Sequence, residues 1–360
     1  MPPPRGLVLA RGRCSAIKSH KSTIEATNNL TRTASLDQWL AQQFAPGSFR
    51  YSPASEDASF RRYFRVTTSD GRSLIVMDAP PEHEDCRPFV KVARLFAEAG
   101  VQVPAILAED LDNGYLLLSD LGNTTYLQAL DDTHAAALYD AATTALVRIQ
   151  SISRPGILPD YDRALLLREL HLFPDWYVTR HLGHAPNEAQ QQALESVFEA
   201  IVVNNLAQPR VFVHRDYHSR NLMVMPSGPG ILDFQDAVYG PITYDLVSLL
   251  KDAYVSWDEQ RLLDWAIRYW EKARAAGLPV RPDFAEFFRD FEWMGVQRHV
   301  KVLGIFARLF HRDGKSGYLQ DMPLVMRYLR AACERYAQLH PLLRLLDEFE
   351  SRPAQAGYTF

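Results

Sequence analysis

The spacing of apolar residues divides the chain into a strand-rich first third and a helical remainder. Apolar segments typical of strands cover residues 49–52, 62–68, 73–77, 103–107 and 115–119. The turns Ser69-Asp70-Gly71 and Asp112-Asn113-Gly114 each carry a glycine, which adopts positive φ readily, so the strands on either side of each turn are predicted to form hairpins. The first third therefore predicts a small antiparallel sheet.

Helical spacing appears at two places among these strands. Ser35 and Gln38 have the spacing of a capping box and predict a helix over 35–44. Apolar residues recur every three or four positions over 86–99, and Gly100 follows where a C-terminal cap is expected. The second helix is thus placed between the two hairpins.

After residue 121 the periodicity becomes mostly helical. The predicted helices, separated by joints that contain proline or glycine, are 133–149, 163–182, 188–205, 258–275, 283–310 and 322–346. Short apolar runs at 211–213, 221–224 and 231–233 interrupt them and predict a small buried sheet. The fold class is accordingly α+β, with a small antiparallel β N-lobe and a larger, mostly helical C-lobe.

These patterns predict four segments. Residues 35–120 form an N-lobe with a β-sheet and one main helix, and residues 121–346 form the C-lobe. Residues 347–360 form a tail. Residues 1–34 are predicted as a disordered leader, because the five basic residues before Glu25 accompany only a weak apolar patch; a targeting segment is the alternative.

Composition narrows the class of partner. The 360 residues are 47% hydrophobic, enough for a full core, and the formal charge is -4 with a pI near 6.3. The chain has no net positive charge that would favour nucleic acid or an anionic membrane as the partner. No apolar run approaches the roughly 20 residues that span a bilayer. The three scattered cysteines predict neither disulfides nor zinc. We therefore expect a cytoplasmic protein that acts on small solutes.

Candidate chemistry is concentrated in residues 211–236. An apolar strand, a polar loop and further apolar runs place Asp216, Asn221 and Asp233 at one edge of the predicted sheet. Phosphoryl transfer uses such a set, since one aspartate orients the acceptor hydroxyl while hard oxygens hold the magnesium that bridges the phosphates. If both aspartates were ordinary turn residues, their positions after apolar runs would be accidental.

The order of these residues resembles a known group of enzymes. H-x-D-x-x-x-x-N, beginning at His214, and I-x-D-F, ending at Phe234, are similar to the catalytic and metal loops of aminoglycoside phosphotransferases and choline kinases. The resemblance implies a two-lobed protein-kinase-like fold that uses ATP and Mg2+. It makes Asp216 the catalytic aspartate and Asn221 and Asp233 the metal ligands. His214 and Asp245 become structural residues, with the His214 ring bracing the backbone near Asp233.

The nucleotide side departs from the kinase pattern. Residues 52–66 occupy the place of the phosphate-covering loop but contain no glycine. The predicted nucleotide-binding residues are Ser55, Ser59, Arg61 and Arg62, with the hinge at Ser119, Asp120 and Leu121. Met77 replaces the expected strand lysine, which leaves either an inactive kinase or a positive charge relocated to the arginine-rich hairpin. The intact catalytic and metal residues favour relocation.

Within this group, residues 58–65, 170–177 and 214–221 resemble bacterial kinases of cell-wall amino sugars. That resemblance implies phosphorylation of the anomeric hydroxyl of N-acetylmuramate and N-acetylglucosamine during peptidoglycan recycling. Candidate acceptor contacts are Asp175, Trp176, Arg180 and Arg298, each of which could equally be a core aromatic or a solvated helical charge. A kinase of aminoglycosides or other amino alcohols and a silent nucleotide-binding regulator remain as alternatives.

Overall fold

The computed structural model describes residues 31–55 and 60–350, and the side chain of Ser55 is not described. Most of the predicted leader, Ser59 and residues 351–360 of the tail lie outside this part of the chain. Packing of the described residues separates two units, one of 31–86 with 105–120 and the other of 87–104 with 121–350. The helix between the two hairpins therefore groups with the second unit.

The first unit is an antiparallel sheet covered on one face by a helix. Helix α1 occupies 31–43 and is followed by strands β1 (Phe49–Ser55), β2 (Arg62–Thr68), β3 (Ser73–Asp78), β4 (Ile106–Asp110) and β5 (Tyr115–Ser119). The strand order is β1-β2-β3-β5-β4, and both predicted hairpins are present. Trp39 and Leu40 of α1 pack with Val76 and Leu117 to form the core.

The second unit is mainly helical. Its helices and strands are α2 (Arg87–Glu98), α3 (Tyr126–Ala129), α4 (Ala135–Ser151), α5 (Arg163–Leu170), a π-helix (Phe173–His181), α6 (Glu188–Leu206), β6 (Arg210–Val213), β7 (Leu222–Met223), β8 (Gly230–Ile231), β9 (Val238–Pro241), α7 (Tyr244–Leu250), α8 (Glu259–Ala275), α9 (Phe284–Asp313), a 3-10 turn (Ser316–Asp321), α10 (Met322–Arg335), a second 3-10 turn (Ala337–Leu339) and α11 (His340–Phe349). Two small antiparallel sheets, β6-β9 and β7-β8, lie among the helices. The predicted α+β fold class is confirmed.

Proline explains two of three differences from the predicted elements. Pro174 cannot donate to a preceding carbonyl, and the predicted helix 163–182 continues past α5 as a π-helix in which the Leu182 amide bonds Tyr177 five residues back at 2.9 Å. The predicted helix 322–346 is divided because α10 ends where Tyr336 has extended backbone, and α11 begins with Pro341 in its first turn. Strand β4 begins after Pro104, later than predicted.

No helix in the described ranges has both the length and the apolar character needed to cross a membrane.

Candidate active site

The antiparallel pairing of β7 with β8 brings the predicted site residues together. Leu222 of β7 pairs with Ile231 of β8, and the Leu232 amide donates to the Asn221 carbonyl at 2.9 Å. The side-chain amide of Asn221 donates to the Asp216 carbonyl oxygen at 3.0 Å and to Asp233 Oδ2 at 3.3 Å. Asn221 thus joins the loop that carries Asp216 to the loop that carries Asp233.

His214 connects the same two loops from beneath. Its Nδ1 accepts from the Asp216 amide at 3.2 Å, and its Nε2 donates to the Leu232 carbonyl at 2.9 Å. The ring is fully buried, and burial lowers the pKa of His214 to about 4. The imidazole is therefore neutral at physiological pH, and it holds two backbone segments together.

Asp245, in the first turn of α7, supports the start of the catalytic loop. Its two carboxylate oxygens accept from the amides of His214 at 2.6 Å and Arg215 at 3.0 Å. Burial raises the pKa of Asp245 to about 7 even though these amides favour the charged form.

The backbone is unusual at two residues of the site. Arg215 and Asp233 have positive φ angles of 79° and 61°, which non-glycine residues adopt rarely and mostly where the surroundings enforce them.

The carboxylate of Asp216 is charged and available to accept a hydrogen bond. Burial acts to raise its pKa, but the charges of Lys301, His218 and Arg298 outweigh burial and hold the pKa of Asp216 below its ordinary value. Among the described residues, none donates a hydrogen bond to this carboxylate. Asp216 is therefore ionised near neutral pH and able to accept a bond from a hydroxyl group.

A buried charge network fixes Arg215, the neighbour of Asp216. Glu169 of α5 pairs with the Arg215 guanidinium and with Lys301 Nζ of α9, the latter at 2.9 Å. Tyr161 and Gln297 donate two further hydrogen bonds to the same carboxylate. The sequence pattern does not predict this network, because Glu169 lies in an ordinary helical pattern. The one available signal was the set of charged residues inside the otherwise apolar stretch 294–307 of α9.

The oxygen donors of Asn221 and Asp233 suit a magnesium ion. Asn221 uses its nitrogen for both hydrogen bonds, and no described residue donates to its Oδ1. Asp233 is exposed and adds a carboxylate. Magnesium in kinases is held by one or two such side chains together with waters and substrate phosphates, and no cluster of three or more His, Cys, Asp or Glu occurs within 31–55 and 60–350.

A profile of the family described as "Phosphotransferase enzyme family" matches residues 50–282. The chain belongs to this family. An N-acetylmuramate/N-acetylglucosamine kinase of Neisseria meningitidis is 49% identical over 92% of the chain and all of the relative. An enzyme with the same name from Pseudomonas aeruginosa is 56% identical over 82% of the chain and 87% of the relative. The resemblance to this group inferred from the motifs is confirmed.

Solved structures share the fold of this phosphotransferase at low sequence identity. An ethanolamine kinase of Plasmodium vivax superposes with a TM-score of 0.60 at 11% identity, covering 88% of both chains. An ADP-bound aminoglycoside phosphotransferase gives 0.55 at 14% identity, covering 82% of this chain and 97% of the other. These likenesses confirm the protein-kinase-like fold.

Arg62 and Arg65 lie on opposite faces of the sheet in the first unit of this phosphotransferase. Arg62 lies opposite Asp78 on the face covered by α1, where Asp78 also accepts from Arg32 at 2.9 Å. Met77 lies on the other face, and its side chain is fully buried. Arg65 shares that face because it pairs in register with Ile75. Strand alternation gives neighbouring residues opposite faces, so Arg62 cannot substitute for a lysine at Met77 without rearrangement.

Arg61, Arg65 and the hinge residue Ser119 each form an ion pair or hydrogen bond within the first unit. Arg61 forms an ion pair with Glu84 at 3.1 Å, and Arg65 forms one with Asp120 at 2.7 Å. Ser119 extends β5, and its Oγ accepts from the Ala105 amide at 2.8 Å. In the second unit, Leu121 is buried. Ser55 ends β1.

The candidate acceptor residues are dispersed over the second unit. Asp175, Trp176 and Arg180 lie on the π-helix. Asp175 lines a groove shared with α6, and the Arg180 guanidinium lies 5.9 Å from the centre of the Trp176 ring. Arg298 lies on α9, is 4% exposed, and donates from Nε to Ser248 Oγ at 2.6 Å. Of the four, Arg298 acts electrostatically on Asp216.

Proposed function

We propose that this phosphotransferase transfers the γ-phosphoryl group of ATP to the anomeric hydroxyl of N-acetylmuramate and N-acetylglucosamine. The products would be the sugar 1-phosphates and ADP, formed in the cytoplasm during recycling of peptidoglycan sugars. The observation that carries the proposal is the connection of Asp216 and Asp233 through Asn221, in a chain that matches a relative with the name of this kinase over 92% of its length. The anomeric position rests on the motif resemblance.

Asp216 is the residue assigned to the acceptor. Its carboxylate accepts the hydrogen bond of the anomeric hydroxyl, aligns that oxygen with the γ-phosphorus and takes the proton as the new O–P bond forms. The bond between the γ-phosphorus and the bridging oxygen breaks, and ADP leaves with that electron pair. Asn221 and Asp233 would hold magnesium, whose charge offsets that of the phosphates. His214 and Asp245 keep the two loops in register.

The nucleotide is assigned to the first unit. Arg61 or Arg65 supplies the positive charge that Met77 lacks, because Arg65 shares the sheet face of Met77 and Arg61 directly precedes β2. Ser55 and Ser59 cover the phosphates, and the backbone at 119–121 contacts the adenine edge. Arg62 contributes indirectly, by fixing Asp78.

A coupled assay of ADP release tests the proposal against its alternatives. The purified protein is given ATP, Mg2+ and a panel of N-acetylmuramate, N-acetylglucosamine, choline and an aminoglycoside, and sugar 1-phosphate is identified by phosphorus NMR. We expect turnover with the two N-acetylated sugars. Turnover with the aminoglycoside alone would establish the amino-alcohol alternative. Nucleotide binding without any turnover would establish a silent regulator.

The same assay tests the role of Asp216. Asp216→Asn removes the proton acceptor and is expected to lower kcat by about 10²- to 10⁴-fold, with the fold retained. Asp264→Asn is the matched control, because Asp264 is an exposed residue of α8 that forms an ion pair with Arg268 across one helical turn. Near-normal kcat for the Asp216 variant would disprove the assignment.

A further inference from the structure

Arg298 is a buried cation that forms no ion pair with any described residue. It is 4% exposed, its Nη1 has no hydrogen-bond partner, and no acid of the described ranges lies within salt-bridge distance. By contrast, Lys301 on the next turn of α9 has Glu169 at 2.9 Å. A buried charge without a partner is strongly unfavourable, so an unpaired guanidinium is expected where a ligand supplies the anion.

The surroundings of Arg298 suit a sugar. The His218 ring lies edge-on to Tyr254 at 5.4 Å, and its buried Nδ1 has no hydrogen-bond partner. Tyr254 and Tyr318 are half-buried and form an aromatic surface backed by the buried ring of Phe306. The charge of Arg298 acts on both His218 and Tyr254. Aromatic faces with a few convergent polar groups are typical of small-molecule sites. His218 is two residues from Asp216, so this surface begins beside the residue assigned to the acceptor hydroxyl.

A second arginine borders the same aromatic surface. The Arg220 guanidinium lies 3.6 Å from the centre of the Tyr254 ring, and its nearest carboxylate, that of Asp321, is 3.9 Å away. The charges of Arg220 and Arg298 act on both His218 and Tyr254, together with the buried carboxylate of Asp252, which already accepts hydrogen bonds from Ser219 and the Tyr254 amide. The two guanidinium groups beside this surface favour an acceptor that carries an anion over a polycation such as an aminoglycoside.

We propose that Arg298 is the specificity-determining residue that binds the lactyl carboxylate of N-acetylmuramate, with His218 and Tyr254 forming the adjoining wall for the sugar ring. This inference rests on the proposed function. N-acetylglucosamine has the same anomeric hydroxyl and N-acetyl group but no carboxylate. Arg298 therefore contributes binding energy to one of the two acceptors.

Comparison of the two acceptors tests the inference. Arg298→Gln removes the charge and keeps a hydrogen-bond donor, and we expect kcat/KM for N-acetylmuramate to fall at least about tenfold more than kcat/KM for N-acetylglucosamine. Arg298→Lys restores the charge and is expected to recover part of the difference. Arg289→Gln, an exposed arginine of the same helix, is the matched control and should leave the ratio of the two values unchanged.

Wild-type enzyme provides a measurement that does not depend on folding of a variant. The methyl ester of N-acetylmuramate lacks the negative charge, and its kcat/KM is expected to fall to a level near that of N-acetylglucosamine. Equal losses for both sugars in Arg298→Gln would mean that Arg298 acts on the shared phosphoryl group or on Asp216, and would overturn the inference. An ester as good as the free acid would also overturn it. Wild-type protein inactive on both sugars would instead disprove the proposed function.

Discussion

Two buried titratable side chains beneath the catalytic loop respond to pH in opposite ways. His214 has a pKa lowered to about 4, so the folded protein binds no proton there over a range in which the unfolded chain, with an ordinary value of 6.5, does. Its contribution to stability is therefore lost as pH falls from about 6.5 to 4. Asp245, with a pKa raised to about 7, makes a contribution that is lost as pH rises from 3.8 through 7.

Comparison with a His214 variant isolates the first contribution. In His214→Gln that term is absent, so the advantage of the wild-type protein in free energy of unfolding is expected to shrink as pH falls from 7.5 to 5. The shift from 6.5 to about 4 corresponds to about 3 kcal/mol in full, at about 1.4 kcal/mol per pKa unit. Urea denaturation at several pH values measures it. Parallel pH profiles for the two proteins would contradict a neutral, buried His214.

At the scale of elements, α9 is the helix against which much of the second unit packs. Gly304 allows this packing, because a Cβ at that position would lie 2.4 Å from the carbonyl carbon of Leu172, just before the π-helix. Real Cβ contacts are not that short, and the neighbour is backbone, which cannot rotate away. The approach of α9 to the π-helix therefore depends on a glycine.

Gly304→Ala is expected to destabilise the protein by about 1–3 kcal/mol, as overpacking of a core does. Gly295→Ala on the same helix is the control. The nearest atom to a Cβ there, His299 Cε1, is 3.7 Å away, so alanine is accommodated and its higher helix propensity should stabilise by up to about 1 kcal/mol. Thermal unfolding of the two variants measures the contrast, and equal changes in Tm would refute the close approach.

At the scale of the whole molecule, the Glu169 network links parts of the chain that are far apart in sequence. One carboxylate joins α5, the catalytic loop and α9 through Arg215 and Lys301. Burial acts to raise the pKa of Glu169, but these two cations outweigh burial and keep the pKa below its ordinary value. The carboxylate therefore remains charged and holds the loop that carries Asp216.

Glu169→Gln leaves two buried cations without their carboxylate and is expected to cost about 3–5 kcal/mol of stability and to lower kcat as the catalytic loop shifts. Glu199→Gln provides the control, since the pair of Glu199 with Arg163 is on the surface and is expected to matter little. Urea denaturation and steady-state kinetics report the two effects separately. Unchanged kcat in a folded Glu169 variant would show that the network supports the fold alone.

Apolar periodicity determined the fold class and most helices and strands. The apolar residues on the buried face of a helix or strand must recur with the period of that element. The order of His214, Asp216, Asn221 and Asp233 determined the family, since local spacing between two strands fixes which side chains meet. Periodicity could not place the π-helix or the later start of β4, where single prolines removed backbone donors.

The tertiary structure alone decided which charges are paired. Sequence offered Arg61 and Arg62 equally for the nucleotide, but strand register puts Arg62 on the α1 face with Asp78. Sequence likewise gave no way to distinguish Lys301, which has Glu169, from Arg298, which has no carboxylate among the described residues. A charged residue on a helix is solvated or buried according to what packs against it, and those partners come from distant parts of the chain.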